Sequence, residues 1–311
     1  MKLTTDLFMK FDSKLTAGYF GKLPQYNDFI KYNAGGPEIL KLDDWIQKGI
    51  KLGKKKMKEG WKHAYRNSPV YNFIYPFTDS PNLIAGTIEA GYDKSKREYP
   101  FIVFATLPFS SIKRDHYNLL PLMLSNPLEQ IKNMAGNIIR IISDESASIT
   151  MYTSDDDYTE KFEKYLHIPQ RAFWKTTLNN PSFIKAFKTN LFNLHLNGSP
   201  GIKLFIDSTD EQFAYTLGVI MLLITNVIND HLLPAVFWSK GNIKHTIYFS
   251  FHHLGLQYYH LFDPDNTEVI NLNNSLFGPT HDNSAVDMFN DEADLENLVT
   301  EIKNLKSKSD A

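Results

Sequence analysis

Two β-rich runs joined by a charged loop constrain this chain more than any other feature. Residues 82–90 read NLIAGTIEA, residues 99–107 read YPFIVFATL, and the polar segment GYDKSKRE lies between them. Apolar runs of this kind on either side of a glycine-led polar segment form a hairpin, or neighbouring strands joined by a long loop. Tyr99, Phe101 and Val103, with Phe104 and Leu107, leave apolar residues on both faces of the second strand. That pattern belongs to a central strand covered on both sides. The rest of the chain therefore has to supply cover for two faces of a sheet.

The spacing of apolar residues supplies it. Residues 17–23 read as a first strand, ended by Pro24. Pro37 and Glu38 open a helix over 37–59, because proline is tolerated in the first turn, and Leu40, Leu42, Trp45, Ile46 and Ile50 follow at roughly helical spacing. Lys51, Lys54, Lys55, Lys56 and Lys58 crowd its far end, where cations complement the helix dipole. Further helices are predicted over 116–144 (with breaks near Pro121 and Pro127), 155–166, 182–196, 209–230 and 285–308. Strands are predicted over 201–207, 234–239 and 244–251, with a short strand or turn over 256–262. Strands interleaved with helices give a mixed sheet covered by helices on both faces. The predicted organisation is an N-terminal extension over 1–16, an α/β domain over 17–262, and a turn, helix and frayed tail over 263–311.

Composition narrows the function. A formal net charge of −2 over 311 residues argues against a general nucleic-acid binder, which shows a basic excess. It argues equally against a surface that seeks anionic membranes. The chain has no cysteine, which excludes disulfides, thiol catalysis and Cys-ligated zinc. The most apolar stretch, 214–228, is about 15 residues long and a bilayer needs roughly 20, so it reads as a buried core helix. The N-terminus has charges in every apolar run and is no secretory signal. The expectation is a cytoplasmic protein without membrane insertion.

Catalytic signatures are sparse. His245, His252, His253 and His260 cluster near the C-terminal strands, but zinc needs three or four converging ligands and neither HExxH nor HxxEH spacing occurs. Asp155, Asp156 and Asp157 suit a helix start, and Asp263 and Asp265 around Pro264 are turn chemistry. The chain has no GxSxG, no GxxxxGK[ST] and no GxGxxG. No catalytic residue, metal or cofactor is expected. A metal-dependent hydrolase using the C-terminal histidines is the competing class.

The stretch Gly18-Tyr-Phe-Gly21-Lys22-Leu23-Pro24, followed by Asn27-Asp28-Phe29, resembles the opening GxxGKLPxxGDF of the TagF (ImpM) family, which accompanies type VI secretion systems. Three further stretches are similar in order: Trp61 with Ser68 and Pro69; Gly86, Asp93, Arg97, Tyr99 and Pro100; and residues 234–241, PAVFWSKG, with Trp238. Asn27 stands where the family has glycine, and Phe237 replaces one of two late tryptophans. Asn tolerates left-handed backbone better than most residues. The resemblance implies a three-layer α/β/α sandwich and a non-enzymatic repressor acting by protein–protein binding, with a forkhead-associated scaffold protein among its partners. A structural adaptor of the secretion apparatus is the alternative.

The motif residues have mechanical uses. Gly18 and Gly21 let backbone approach closely. Asp28 is expected to brace its loop, at least partly buried and paired with Lys22 or Arg97, while Phe29 and Ile30 pack inward.

Overall fold

The computed structural model describes residues 16–77, 79–111, 117, 120–124, 201–207, 213, 217, 218, 220, 221, 224, 233–239, 244–250, 258–262, 270 and 271. The helices predicted over 155–166, 182–196 and 285–308, and most of those over 116–144 and 209–230, lie outside the described residues, as do His252 and His253.

The chain is a mixed α/β protein organised on one sheet. Its strands are β1 (Thr16–Gly21), β2 (Ile30–Tyr32), β3 (Tyr71–Pro76), β4 (Asn82–Glu89), β5 (Phe101–Pro108), β6 (Gly201–Asp207), β7 (Ala235–Ser239), β8 (Lys244–Ser250) and β9 (Ile270–Asn271). They run in the order β2-β1-β5-β4-β3-β7-β8-β6-β9. Every pairing is antiparallel except β6 with β9. The predicted strand at 99–107 is found as β5, which starts at Phe101 and is paired on both sides, with β1 and β4. Tyr99 and Pro100 precede it, in the connection rather than the strand. The segment 256–262 holds a 3-10 turn, Tyr258–Leu261, and the chain beyond it returns to the sheet as β9.

Alternation divides the apolar residues between two faces. Phe20, Ile102, Phe104, Ile84, Ile88, Tyr71, Phe73, Tyr75 and Phe237 form one buried cluster with helices α1 (Pro37–Met57) and α2 (Gly60–Arg66) and the 3-10 turn. Phe101, Val103, Leu107, Leu83, Ile74, Val236, Ile247 and Phe249, at the alternate positions, are buried on the opposite face. One row across the first face explains two motif glycines. Gly18 pairs with Phe104, Phe104 with Gly86, Gly86 with Phe73, and Phe73 with Phe237. A Cβ at Gly18 would stand 2.5 Å from the Phe104 ring. A Cβ at Gly86 would stand 2.1 Å from the Val103 carbonyl oxygen. Phe104 and Phe73 thus each lie beside a neighbour with no side chain, which lets these rings pack flat on the sheet.

Helix α1 begins at Pro37 as predicted. Its buried stripe is Ile39, Leu42, Trp45, Ile46, Gly49, Ile50 and Gly53. Leu40, predicted to belong to this stripe, is 62% exposed. The helical advance of about 100° per residue puts Ile39, not Leu40, in line with Leu42 and Ile46. Gly49 and Gly53 let two aromatics press on the helix: a Cβ at either would stand 2.2 Å from Tyr258 or Trp61.

Candidate partner-binding site

The β1–β2 and β4–β5 connections meet because β1 and β5 are neighbours. Their contact starts at Gly21, whose φ of 135° is a region L side chains rarely adopt, and where a Cβ would stand 2.1 Å from the Pro100 carbonyl oxygen. The first loop then turns, with Tyr26 N–H donating to the Leu23 carbonyl at 3.1 Å, while Lys94 N–H donates to the Tyr26 carbonyl at 2.9 Å.

Asp93 locks the two loops together. Its side chain has no accessible surface. It lies under a thin cover of basic side chains, outside the aromatic core cluster. Lys22 Nζ approaches its carboxylate at 3.0 Å and Arg97 Nε at 2.6 Å, and Arg97 N–H donates to it at 3.0 Å. Arg97 also donates to the Asn27 carbonyl at 2.9 Å. One carboxylate therefore closes the β4–β5 turn upon itself and anchors Lys22 from the other loop. Burial pushes the Asp93 pKa up. The hydrogen bonds from the Arg97 backbone, Lys22 and Arg97, with the Lys22 charge, outweigh it and hold the pKa at about 2, below the ordinary 3.8.

Because the folded pKa is the lower one, Asp93 stabilises the fold above pH 3.8 and loses that contribution as pH falls toward 2. Urea midpoints measured from pH 7 to pH 2 should show Asp93→Asn less stable than wild type at neutral pH. The two should converge across that acid window. A gap that stays constant down to pH 2 would refute the clamp.

The expectation for Asp28 is corrected here. Its side chain is 77% exposed, and it accepts from Phe29 N–H at 2.8 Å with Arg97 3.5 Å away. An exposed pair of this kind contributes about 0–1 kcal/mol. The reason is competition for donors: the Lys22 ammonium, the Arg97 Nε and a backbone N–H all converge on Asp93, so that carboxylate can be buried and Asp28 stays in water. Asn27 does not need left-handed backbone; among the described non-glycine residues only Asn33, Lys58 and Lys96 have positive φ. Phe29 is also less buried than expected, at 39% exposure, though its ring meets Tyr99 edge-on at 4.6 Å and stacks on Phe20 at 6.3 Å. Ile30 is half-buried.

Beside the clamp lies an open cleft of about 760 Å³ between the β1–β2 edge and α1. Phe20, Phe29, Leu40 and Tyr99 give it an apolar wall, and Lys22, Lys31, Lys51 and Lys54 border it. The Tyr99 hydroxyl donates to Asp43; burial, then that carboxylate, raises its pKa well above the ordinary tyrosine value. Glu98 accepts from Trp61 Nε1 at 3.1 Å and lies 3.5 Å from Lys54 and 3.7 Å from Arg66.

The remaining motif positions have other places. Trp61 is buried against Tyr65 and Phe262. Ser68 and Pro69 follow α2 on the way to β3, with Ser68 N–H donating to the Tyr65 carbonyl at 3.3 Å. Leu23 is half-buried and Pro24 exposed in the first loop. Trp238 is buried on the sheet face opposite α1, opposite Ile247 in the register, and takes no part in the cleft. The structure thus brings Gly21, Lys22, Asp28, Asp93, Arg97, Tyr99 and Pro100 together, joins Trp61 to the cleft through Glu98, and leaves Ser68, Pro69 and Trp238 elsewhere. Sequence reasoning missed Lys31 and Leu40. For Leu40 the signal was present, as a helical angle out of line with its apolar neighbours.

The two described histidines of the C-terminal cluster, His245 and His260, lie on opposite faces of the sheet. His245 stacks on Phe213, with ring centroids 4.2 Å apart, on the face shared with Ile247. His260 lies in the 3-10 turn on the other face, where its carbonyl accepts from Lys203 at 3.2 Å. Among the described residues no group of three or more His, Cys, Asp or Glu is arranged to hold a metal ion.

No curated protein matches the chain. Among solved structures, the crystal structure of PA0076 from Pseudomonas aeruginosa PAO1 aligns with 81% of this chain and 96% of its own, at 12% identity and a TM-score of 0.43. The TagF N-terminal domain, described as type VI secretion system-associated, matches residues 18–147. That span contains both loops, the Asp93 clamp, α1 and the cleft, and it bears out the resemblance first seen at Gly18 to Phe29. Residues 18–147 match the TagF N-terminal domain, and that match links this chain to type VI secretion.

Proposed function

We propose that this protein is a cytoplasmic, non-enzymatic regulator of a type VI secretion system, a post-translational repressor that acts by binding another protein of that system. A forkhead-associated scaffold protein is the first partner to test. The observation that carries the reading is the cleft. Of the large apolar residues exposed among those described, Tyr32 stacks on Tyr19 on the other sheet face, whereas Phe29 and Leu40 line the cleft together. Isolated exposed apolar residues are ordinary, whereas grouped ones mark contact sites. Here they border loops held by a buried charge cluster, a pre-ordered surface that loses little entropy on binding. No described helix is long and apolar enough to cross a membrane. The three-layer α/β/α arrangement belongs to the same proposal. Its support is Phe213, which is helical and stacks on His245 on the second sheet face, together with Leu217, Ile220, Met221 and Ile224, which are helical and buried.

Deleting the gene and measuring secreted effector in the culture medium tests the reading. Secretion should rise several-fold, and a plasmid copy should restore it. Unchanged secretion overturns regulation. Abolished secretion overturns repression and assigns a structural part.

A further inference from the structure

We propose that the cleft receives an extended acidic segment of a partner protein, with an apolar side chain of that segment seated on Phe29 and Leu40 and its carboxylates held by Lys31 and Lys51. This rests on the protein-binding reading above and assigns its chemistry. Charge complementarity identifies the occupant. The acids of the cleft are already engaged. Asp28 faces Arg97, Asp43 accepts from Tyr99 and from Gln47 at 3.0 Å, and Glu98 accepts from Trp61 with Lys54 and Arg66 close by. Lys22 is turned to Asp93. Lys31 and Lys51 are exposed and have no ion-pair partner among the described residues.

The basic character continues out of the cleft. Lys51 and Lys55 stand at i and i+4 on the last turns of α1, and Lys58 follows as its C-cap, all exposed. A chain leaving the cleft along α1 therefore meets Lys55 on the same helix face and Lys58 at its end. Lys31 sits on β2, the outermost of the described strands at its side of the sheet, so an extended segment can lie along that edge while its side chains reach the cleft. Nucleic acid, the other polyanion that lysines attract, is disfavoured by the cleft's apolar floor and by Asp28 at its rim, which is 77% exposed.

The test uses the full chain and fluorescence anisotropy. One probe is a fluorescein-labelled peptide of about twelve residues, glutamate-rich with a central leucine and phenylalanine; the other replaces every glutamate by glutamine. The acidic peptide should bind at least about tenfold more tightly than the glutamine one, and more weakly at high salt, as for exposed charges. Lys31→Glu with Lys51→Glu should weaken binding tenfold or more, and Leu40→Ala should weaken it several-fold. All these residues are exposed, so unchanged melting temperatures would show that the fold is intact. The matched control, Lys62→Glu with Lys94→Glu, should bind as wild type. Equal affinity for both peptides, no binding at millimolar peptide, or binding that survives the cleft variant overturns the proposal. So does tighter, equally cleft-dependent binding of a 20-mer DNA duplex. If deletion raises secretion but the Lys31→Glu, Lys51→Glu strain represses normally, the cleft is wrong and regulation stands. If the peptide binds as expected and deletion changes nothing, regulation is wrong and the cleft stands.

Discussion

Phe101→Ala should cost about 3–5 kcal/mol of stability, the usual range for removing a fully buried ring. Phe101 is 1% exposed and opens β5, which has a strand on each side. Its ring belongs to the sheet face away from α1, 6.0 Å from that of Tyr19. The backbone around it is held by both neighbouring strands, so the site cannot collapse to fill the space, and the cavity term adds to the lost transfer energy. At roughly 2–4 °C per kcal/mol for a chain of this size, melting should fall on the order of 10 °C. Calorimetry that finds a drop of only a degree or two would remove Phe101 from the packed interior.

Trp45→Ala is expected to be as damaging, at about 3–5 kcal/mol, and its comparison with Trp45→Phe tells why. The indole lies among three rings, with centroids 5.4 Å from Tyr75, 5.3 Å from Phe237 and 5.2 Å from Tyr258. It joins α1 to β3, β7 and the 3-10 turn at once. Its Nε1 is buried without a hydrogen-bond partner among the described residues. Phenylalanine keeps most of the ring contact and removes that unsatisfied donor, so the two changes offset. Trp45→Phe should therefore cost less than about 1.5 kcal/mol. Chemical denaturation of both variants measures the contrast. A Phe variant as unstable as the Ala variant would show that the full indole volume is required and would overturn the offset.

Both sites were legible in part before any tertiary contact was known. Phe101 stood in a run apolar on both faces, and Trp45 in a helical stripe, because alternation and the 3.6-residue repeat are written in the chain. The start of α1 at Pro37 and the turn near Leu23 and Pro24 were legible for the same reason, since proline and glycine act on their own backbone. The strand order was not legible. Sequence-adjacent strands such as β5 and β6 are far apart in the sheet, and β1 lies beside β5. Such pairings depend on which apolar faces meet across long sequence separations.

The candidate site divides along the same line. Its residue types were visible: two glycines, a proline, Lys22, two aspartates and Arg97 in two separate segments. Sequence by itself determined that these segments are turns beside apolar strands, because turn chemistry is local. Only the tertiary structure decided which aspartate is buried. Asp28 and Asp93 are alike as side chains, and each has a basic residue within a few positions or one loop away. Burying a carboxylate requires enough donors to replace water, and only the β1–β5 pairing brings Lys22 within 3.0 Å of Asp93 while Arg97 closes on it from its own turn. The exposure of Leu40 follows likewise: local periodicity set its angle on the helix, and the packing of α1 on the sheet turned that angle toward the cleft.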